Sequence, residues 1–451
     1  MNEAAGAAGG TATGGTTAEV CVAGGGPAGA VAALLLARAG LDVVLLEKHG
    51  DFLRDFRGDT IHASTLRLLD EIGLADAFFA LPHQRVPTVG FTSDDGSEYT
   101  IADFRRLLGR FPFIVFVPQW HFLDFIVGQA RHYPTFRLRM NTEAVDLIRE
   151  PDGLVRGVRY RTSDGEHGEV RARLTIAADG RHSTLRRAAD LRLREFGVPM
   201  DVLWFRLPKP PGGQAVVPYG VGGRLSRGRV LVFIDRGDYW QTAFLVRKGG
   251  YDAVRAAGLD AFRAELVRLL SVLAPVVDVL RDWDQVSLLS VRVDRLTRWH
   301  RPGLLVIGDA AHAMSPVGGV GINLAIQDAA AAARLLAEPL RAGTLTPRDL
   351  ARVRRRRLPA TVVVQLLQRL VQRQVVARTL AGARPVTAPP LFRLLQRFPA
   401  LQAVPARLIG LGLYAEHPPP PVADLDVPAV ARSDSAAETS ISANGRGVSW
   451  G

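Results

Sequence analysis

The chain has 451 residues, 47% hydrophobic and 22% charged, which excludes a disordered or low-complexity protein and leaves room for two packed domains. Its formal net charge is +12, carried almost wholly by arginine, since Lys48, Lys209 and Lys248 are the only lysines. The single cysteine, Cys21, excludes an intrachain disulfide framework, and no apolar stretch reaches the ~20 residues of a membrane span. The arginines are spread along the chain without interleaved aromatics, unlike those of a nucleic-acid binder, and the run "RVRRRR" (Arg352 to Arg357) reads as a solvated helix face. No clustered His/Cys set suggests a metal. The N-terminus lacks the basic start and apolar segment of a signal peptide, so a cytoplasmic location is expected.

Residues 1–18 are rich in Gly, Ala and Thr and are expected to be disordered. Strand "EVCVAGG", helix "PAGAVAALLLARAG" and strand "DVVLLEK" then form a βαβ start. A helix over "IHASTLRLLDEIG", a hairpin over "TVGFTSDDGSEYTIADF", a strand "FIVFV" and a helix from "PQWHF" follow. Strands resume at "FRLRM", "AVDLIRE", "LVRGVRYRT" and "VRARLTIAA". From Leu191 to Ser290 longer strands, including "RVLVFID" and "YWQTAFLVRK", predict a separate sheet domain with a helix near "LDAFRAELVRLLSVL". The pattern predicts an α/β fold. A Rossmann-like cofactor domain (19–80, 105–190, 291–345) is split by a mixed-sheet domain (81–104, 191–290) and followed by C-terminal helices (346–416) and a disordered tail (417–451).

"GGGPAG" places Gly24, Gly26 and Gly29 in G-x-G-x-x-G spacing between a strand and a helix, with Pro27 and Ala28 in the first helical turn. The first glycine permits a tight turn, the second admits a pyrophosphate, and the third lets the helix pack closely on the strand. Glu47 closes the next strand, where a carboxylate can accept bonds from an adenosine ribose, with Lys48 beside it. A second glycine cluster, "GDAAHAMSPVGGVGIN" (Gly308 to Asn323), opens on Asp309. A carboxylate there would repel phosphate and accept hydroxyl donors, which favours a dinucleotide with a ribityl linker. Gly318, Gly319 and Gly321 leave amides uncovered at a helix N-terminus, suited to the negative charge that a flavin gains on reduction.

"GGGPAG", "AADGRHSTLRRAADL" (Ala177 to Leu191) and "GDAAHAMSPVGGVGIN" together resemble the three fingerprints of single-component FAD-dependent aromatic hydroxylases, the family of p-hydroxybenzoate hydroxylase. The resemblance implies that Gly308 and Asp309 meet the ribityl chain and that Gly319, Gly321, Ile322 and Asn323 offer backbone to the flavin's pyrimidine edge. It puts Pro316 near the reactive C4a. It assigns Arg57 to the pyrophosphate and Gln119 to the flavin or ribityl chain. Asp179, Gly180, Ser183 and Arg186 would contact FAD and NAD(P)H, although Ser183 also reads as a plain helix cap. His312 is expected to be packed rather than a catalytic base.

The implied cycle has NADH or NADPH reduce FAD, which reacts with O2 to a C4a-hydroperoxide that hydroxylates or epoxidises an aromatic, phenolic or polyketide-like small molecule. Lining candidates are Trp204, Phe205, Tyr219, Phe233, Trp240 and Phe244, with Tyr219 or Tyr239 able to polarise a phenol. A halogenase, an isoprenoid reductase or a prenyl-protein escort protein are the rival readings, but no W-x-W-x-I-P halogenase stretch occurs and the third fingerprint is intact. A monomer or homodimer is expected. Helices around Leu350 to Leu380 and Leu391 to Leu411 mix arginine with leucine and valine, which leaves peripheral membrane contact open.

Overall fold

The first apolar run forms β1 (Thr16–Ala23), and the computed structural model describes residues 15–53, 59–93, 96–209, 221–226, 228–382 and 390–422. β1 starts earlier than the expected disordered segment allows, because Thr16, Thr17 and Ala18 pair in register with Val170, Arg171 and Ala172. Pro27 opens α1 (Pro27–Arg38), an all-round apolar helix with ten of its twelve residues buried, as a helix without a polar face must be. Then come β2 (Val43–Leu46), β3 (Thr60–Ile61), α2 (Ala63–Glu71), α3 (Ala75–Phe79), β4 (Gln84–Val86), β5 (Thr88–Thr92) and β6 (Glu98–Asp103). They are followed by β7 (Ile114–Phe116), α4 (Gln119–Ala130), β8 (Phe136–Arg139), β9 (Thr142–Arg149), β10 (Val155–Thr162), β11 (His167–Ala177) and α5 (Thr184–Ala188). β12 (Leu193–Phe196), β13 (Met200–Pro208), β14 (Val221–Ser226), β15 (Arg229–Asp235), β16 (Tyr239–Arg247), α6 (Tyr251–Ala256) and α7 (Leu259–Leu269) carry the middle of the chain. Last are β17 (Ser287–Leu289), β18 (Val293–Leu296), β19 (His300–Arg301), β20 (Leu304–Val306), α8 (Gly321–Arg341), α9 (Pro347–Val371), α10 (Ala377–Ala381), α11 (Pro390–Arg397) and α12 (Ala403–Gly410).

One sheet runs β19-β20-β11-β1-β2-β8, with the β9–β10 hairpin joined to the first half of β11. β20, β11, β1, β2 and β8 are mutually parallel, so their C-terminal ends share one edge. β1 lies between partners reached by connections of opposite direction, the switch point where open α/β sheets bind ligands. The second sheet runs β17-β13-β16-β15-β14-β5-β6 and is antiparallel except for β14 beside β5. The "FIVFV" strand, β7, joins neither, pairing with β3 and β4 in a small sheet of its own.

α8 is long and apolar enough to cross a membrane by length and composition, more than the sequence suggested, yet 83% of its apolar window is buried inside the protein. Its alanines (Ala329, Ala330, Ala332, Ala333) pack in one core with α1, whose small side chains admit close approach. α9 begins with a capping box, the Thr346 side chain answering Asp349, and Pro347 in the first turn.

Candidate active site

The turn after β1 shows which glycines the fold itself demands. Gly24 has φ +102°, and a Cβ there would lie 2.5 Å from the Ala178 carbonyl oxygen. A Cβ on Gly29 would lie 1.9 Å from the Gly24 carbonyl oxygen, so α1 can approach β1 only with glycine in place. Gly26 differs: among the described residues nothing lies within 4 Å of its Cβ position. That open space borders the α1 N-terminus, whose first amides have no intrahelical acceptor, and it fits a pyrophosphate. Glu47 is buried, its carboxylate accepting from Gly25 N at 2.8 Å and His49 N at 3.0 Å, so two backbone amides fix it on the rim of this turn. Lys48 beside it is exposed.

The three fingerprints meet at the C-terminal edge of the parallel strands. Gly308 (φ +61°) sits against Ala28, with only 2.9 Å from a Cβ at Gly308 to the Ala28 methyl, and so brings the first and third motifs together. Asp309 pairs with Arg181 at 3.0 Å while its side chain stays 34% exposed, so the carboxylate expected to accept from hydroxyls also holds a guanidinium. Arg186 corrects another expectation. It is buried and donates to the Ala310 and Arg181 carbonyls, both at 2.8 Å, stapling the middle motif to the third rather than reaching outward. Burial pulls its pKa down, with Asp294 and Asp179 opposing. Ser183 caps α5 by accepting from Arg186 N at 2.9 Å. Asp179 accepts from Leu185 N with one oxygen, and the other is buried without a protein partner among the described residues.

At the start of α8, Gly319 (φ +61°) has Thr60 Oγ1 only 2.4 Å from its Cβ position, so only glycine fits. The Asn323 side chain is fully engaged, accepting from His62 N and Thr65 Oγ1 and donating to the Thr60 carbonyl at 2.8–2.9 Å. It locks β3 and α2 onto α8, which leaves the backbone of Gly321 and Ile322 as the presenting groups. Pro316 is half-buried at the head of the preceding turn. Gln119 opens α4, its amide donating to Asp59 Oδ1 at 3.3 Å. Arg57 lies outside the described residues.

Beneath this edge lies a buried ionic network that sequence reading missed. Asp328 accepts from His312 Nε2 at 2.6 Å, Gly308 N at 3.2 Å and Arg357 Nε at 3.0 Å. Arg357, read as one of a solvated run, is wholly buried and also reaches Glu416 at 3.1 Å and Gln327 at 2.9 Å. Burial alone would raise the Asp328 pKa, but His312 and Arg357 together hold it below the usual range. His312 packs on the Trp299 ring at 5.0 Å and is buried, as expected for a packed histidine. The one sequence signal for the network is Asp328 itself, an acid within the alanine-rich part of α8, and its partner Arg357 arrives on a different helix, α9.

The seven-stranded sheet has two faces. Phe205, Phe233, Trp240 and Phe244, expected to line the substrate site, are buried in one cluster with Phe262 and Leu266 of α7. Phe262 stacks edge-on against Phe205 (5.5 Å) and Phe244 (5.4 Å), so these four build the core behind the sheet. The opposite face carries Trp204, Val232 and Ala243, which share a cluster with Val317 of the third motif. Trp204 is half-buried, and its indole N–H is buried without a partner among the described residues. Tyr239 stands on this face too, with the Arg206 guanidinium 5.1 Å from its ring centre. Tyr219 lies outside the described residues. Arg236, in the β15–β16 turn, clamps this sheet to the cofactor domain through a buried ion pair with Asp59 and a position over Phe116, 5.4 Å from its ring centre. Burial raises the Asp59 pKa against the pull of Arg236. Nothing in the sequence singles out that pair, which joins residues 177 apart.

A family model described as an FAD binding domain matches residues 17–366. The chain is 35% identical over 402 residues to the 6-methylpretetramide 4-monooxygenase of Streptomyces rimosus, covering 87% of this chain and 92% of that protein. The anhydrotetracycline hydroxylase OxyS from Streptomyces rimosus superposes with a TM-score of 0.66 at 24% identity, covering 88% of this chain and 76% of that one. The flavin-dependent halogenase CmlS has the same fold, with a TM-score of 0.70 at 20% identity over 89% of this chain and 74% of that one. With its fingerprint glycines shaped for a dinucleotide and the family model matched across most of its length, the chain belongs to the FAD-binding-domain family and is a flavoprotein monooxygenase.

Proposed function

We propose that the protein inserts one oxygen atom into an aromatic, polyketide-like small molecule, using NADH or NADPH as reductant and O2 as oxygen source, in the cytoplasm. What carries this proposal is the part of the seven-stranded sheet turned toward the third fingerprint, where Val232, Ala243 and Val317 cluster around the Trp204 indole N–H, a buried donor without a partner among the described residues, with Tyr239 and Arg206 further along the same face. Likeness along almost the whole length of a relative named for oxygenating 6-methylpretetramide supports the substrate class. The chain has no W-x-W-x-I-P stretch, which favours oxygenation over the halogenation named for CmlS.

When bound, FAD would supply the redox chemistry, passing reducing equivalents from the nicotinamide to O2 so that one oxygen atom enters the substrate and the other leaves as water. The chain's own groups bind and orient. The α1 amides and the space at Gly26 hold the pyrophosphate, and Asp309, steadied by Arg181, accepts from linker hydroxyls. The α8 N-terminus at Gly321 and Ile322 stabilises negative charge at the ring edge through its free amides and dipole. Val232, Ala243 and Val317 keep water off the reacting face, while Trp204 donates to a substrate oxygen and sets which ring position is presented. The Asp59–Arg236 clamp holds that face over the cofactor domain.

The test is NAD(P)H oxidation by the purified flavoprotein in the presence of phenols and of multi-ring aromatic polyketides, with product masses measured. Multi-ring substrates should speed oxidation and gain one oxygen, and Trp204→Phe should raise KM by about tenfold, the loss of one hydrogen bond. Stimulation by simple phenols alone, or products without added oxygen, would remove this reading.

A further inference from the structure

We propose that the outer face of α11, α12 and the turn between them docks on an anionic lipid bilayer. The arginines are spread along the chain, but their excess is not. Residues 350–415 contain twelve arginines and neither aspartate nor glutamate, and without those twelve the remaining 44 basic residues balance the 44 acidic ones. The whole net charge of +12 is therefore carried by residues 350–415.

The same segment concentrates exposed apolar surface. Of fourteen exposed large apolar side chains among the described residues, ten fall between Leu366 and Tyr414. Leu391, Leu394, Phe398, Leu401 and Val404 recur along the outer side of α11 and α12, and Phe398 and Val404 are 53% and 65% exposed. Arg393, Arg397 and Arg407 are exposed among them. The inner side is a different surface: Phe392 and Leu395 are buried, and Phe392 packs in the cluster that holds Trp204 and Val317. The helix is thus anchored by one side and leaves an apolar, cationic side without a partner among the described residues. Scattered single leucines on a surface need no explanation, but a stripe of five framed by arginine does.

Charge chooses the occupant. A second copy of this chain would bring arginine against arginine across a two-fold contact, which like-charge repulsion disfavours. An exposed stripe of leucine, phenylalanine and valine among exposed arginines matches the boundary between acyl chains and acidic headgroups. Docking there would put the cap of the Trp204 side of the sheet on the bilayer, where apolar substrates partition. This inference does not depend on the substrate proposed above.

The test is flotation of the full-length holoprotein with vesicles of phosphatidylcholine alone or mixed with phosphatidylglycerol. Three arginines at roughly fivefold each predict on the order of a hundredfold preference for the anionic vesicles, fading as salt is raised. Arg393→Glu with Arg397→Glu, and separately Leu394→Ser with Phe398→Ser, should each abolish that binding while melting temperature and flavin spectrum stay as in the parent. Equal binding to neutral and anionic vesicles, or binding unchanged in both variants, would overturn the proposal. So would absence of vesicle binding together with a sedimenting dimer that Phe398→Glu dissociates, which would assign the face to a second copy. Binding of polyglutamate that matches the vesicles and survives the Leu394/Phe398 changes would overturn it in favour of an acidic protein.

Discussion

The two large sheets of this protein fix their residues by different means. In the parallel sheet, backbone geometry decides: Gly24, Gly29 and Gly319 are glycines because a Cβ would enter a carbonyl or hydroxyl oxygen, whatever the ligand. In the seven-stranded sheet, packing decides. Alternation sorts the β16 side chains into two sets, but α7 behind the sheet and α10 and α11 before it determine which set is core. The parallel layer therefore announces its site in short motifs, while the antiparallel layer announces only that it has two faces.

The contrast can be broken at Asp328, the ionic centre under the parallel layer. Asp328→Asn should lower stability by about 3 kcal/mol in chemical denaturation, since it removes the anion that His312 and Arg357 share and leaves Glu416 as the acidic partner of Arg357. A loss below about 1 kcal/mol would mean that the network is not what holds the third fingerprint in place. Across the second sheet, Trp240→Ala should cost about 3–5 kcal/mol and leave KM unchanged, because its partners are core residues. Trp204→Ala should cost far less stability and raise KM. If the two results were exchanged, the faces would have been assigned the wrong way round.

His62 offers a pH test of the contact between the parallel layer and the C-terminal helices. Its Nδ1 faces the Ile409 carbonyl at 2.7 Å and so carries the hydrogen, and burial pushes the pKa down from 6.5 to about 4. The folded pKa lies below the unfolded one, so this contribution is complete above about pH 6.5 and is lost as pH falls toward about 4, a change of up to roughly 3 kcal/mol. His62→Gln should flatten that limb of the stability–pH curve; an unchanged limb would clear His62. The smallest effect on stability is expected at Gly26. Gly26→Ala has room for its methyl and should shift stability by no more than about 0.5 kcal/mol, yet weaken FAD binding tenfold or more, on the order of 1.4 kcal/mol or greater, in a flavin titration.

The α/β order, the glycine turn and the second glycine cluster were legible because each depends on neighbours within a few residues or on the next strand. Thr16 and Arg357 were not. Thr16 is ordered by Val170, more than 150 residues on, and Arg357 is indistinguishable from its solvated neighbours until Asp328 and Glu416 close around it. Arg186 and Asn323 are legible as motif members, the one as a cofactor contact and the other for its backbone; that both side chains turn inward and bond the motif segments to one another is visible only in the structure. Motif membership located the site, and only three-dimensional partners separated residues that build it from residues that face into it.

Oxygen transfer from O2 to an aromatic substrate leaves a trace in the product itself. The direct measurement is mass spectrometry of the product formed by the holoprotein with NADPH or NADH under isotopically labelled O2. One labelled oxygen atom per product molecule is the predicted result; label entering only from labelled water, or none entering the product at all, would contradict it.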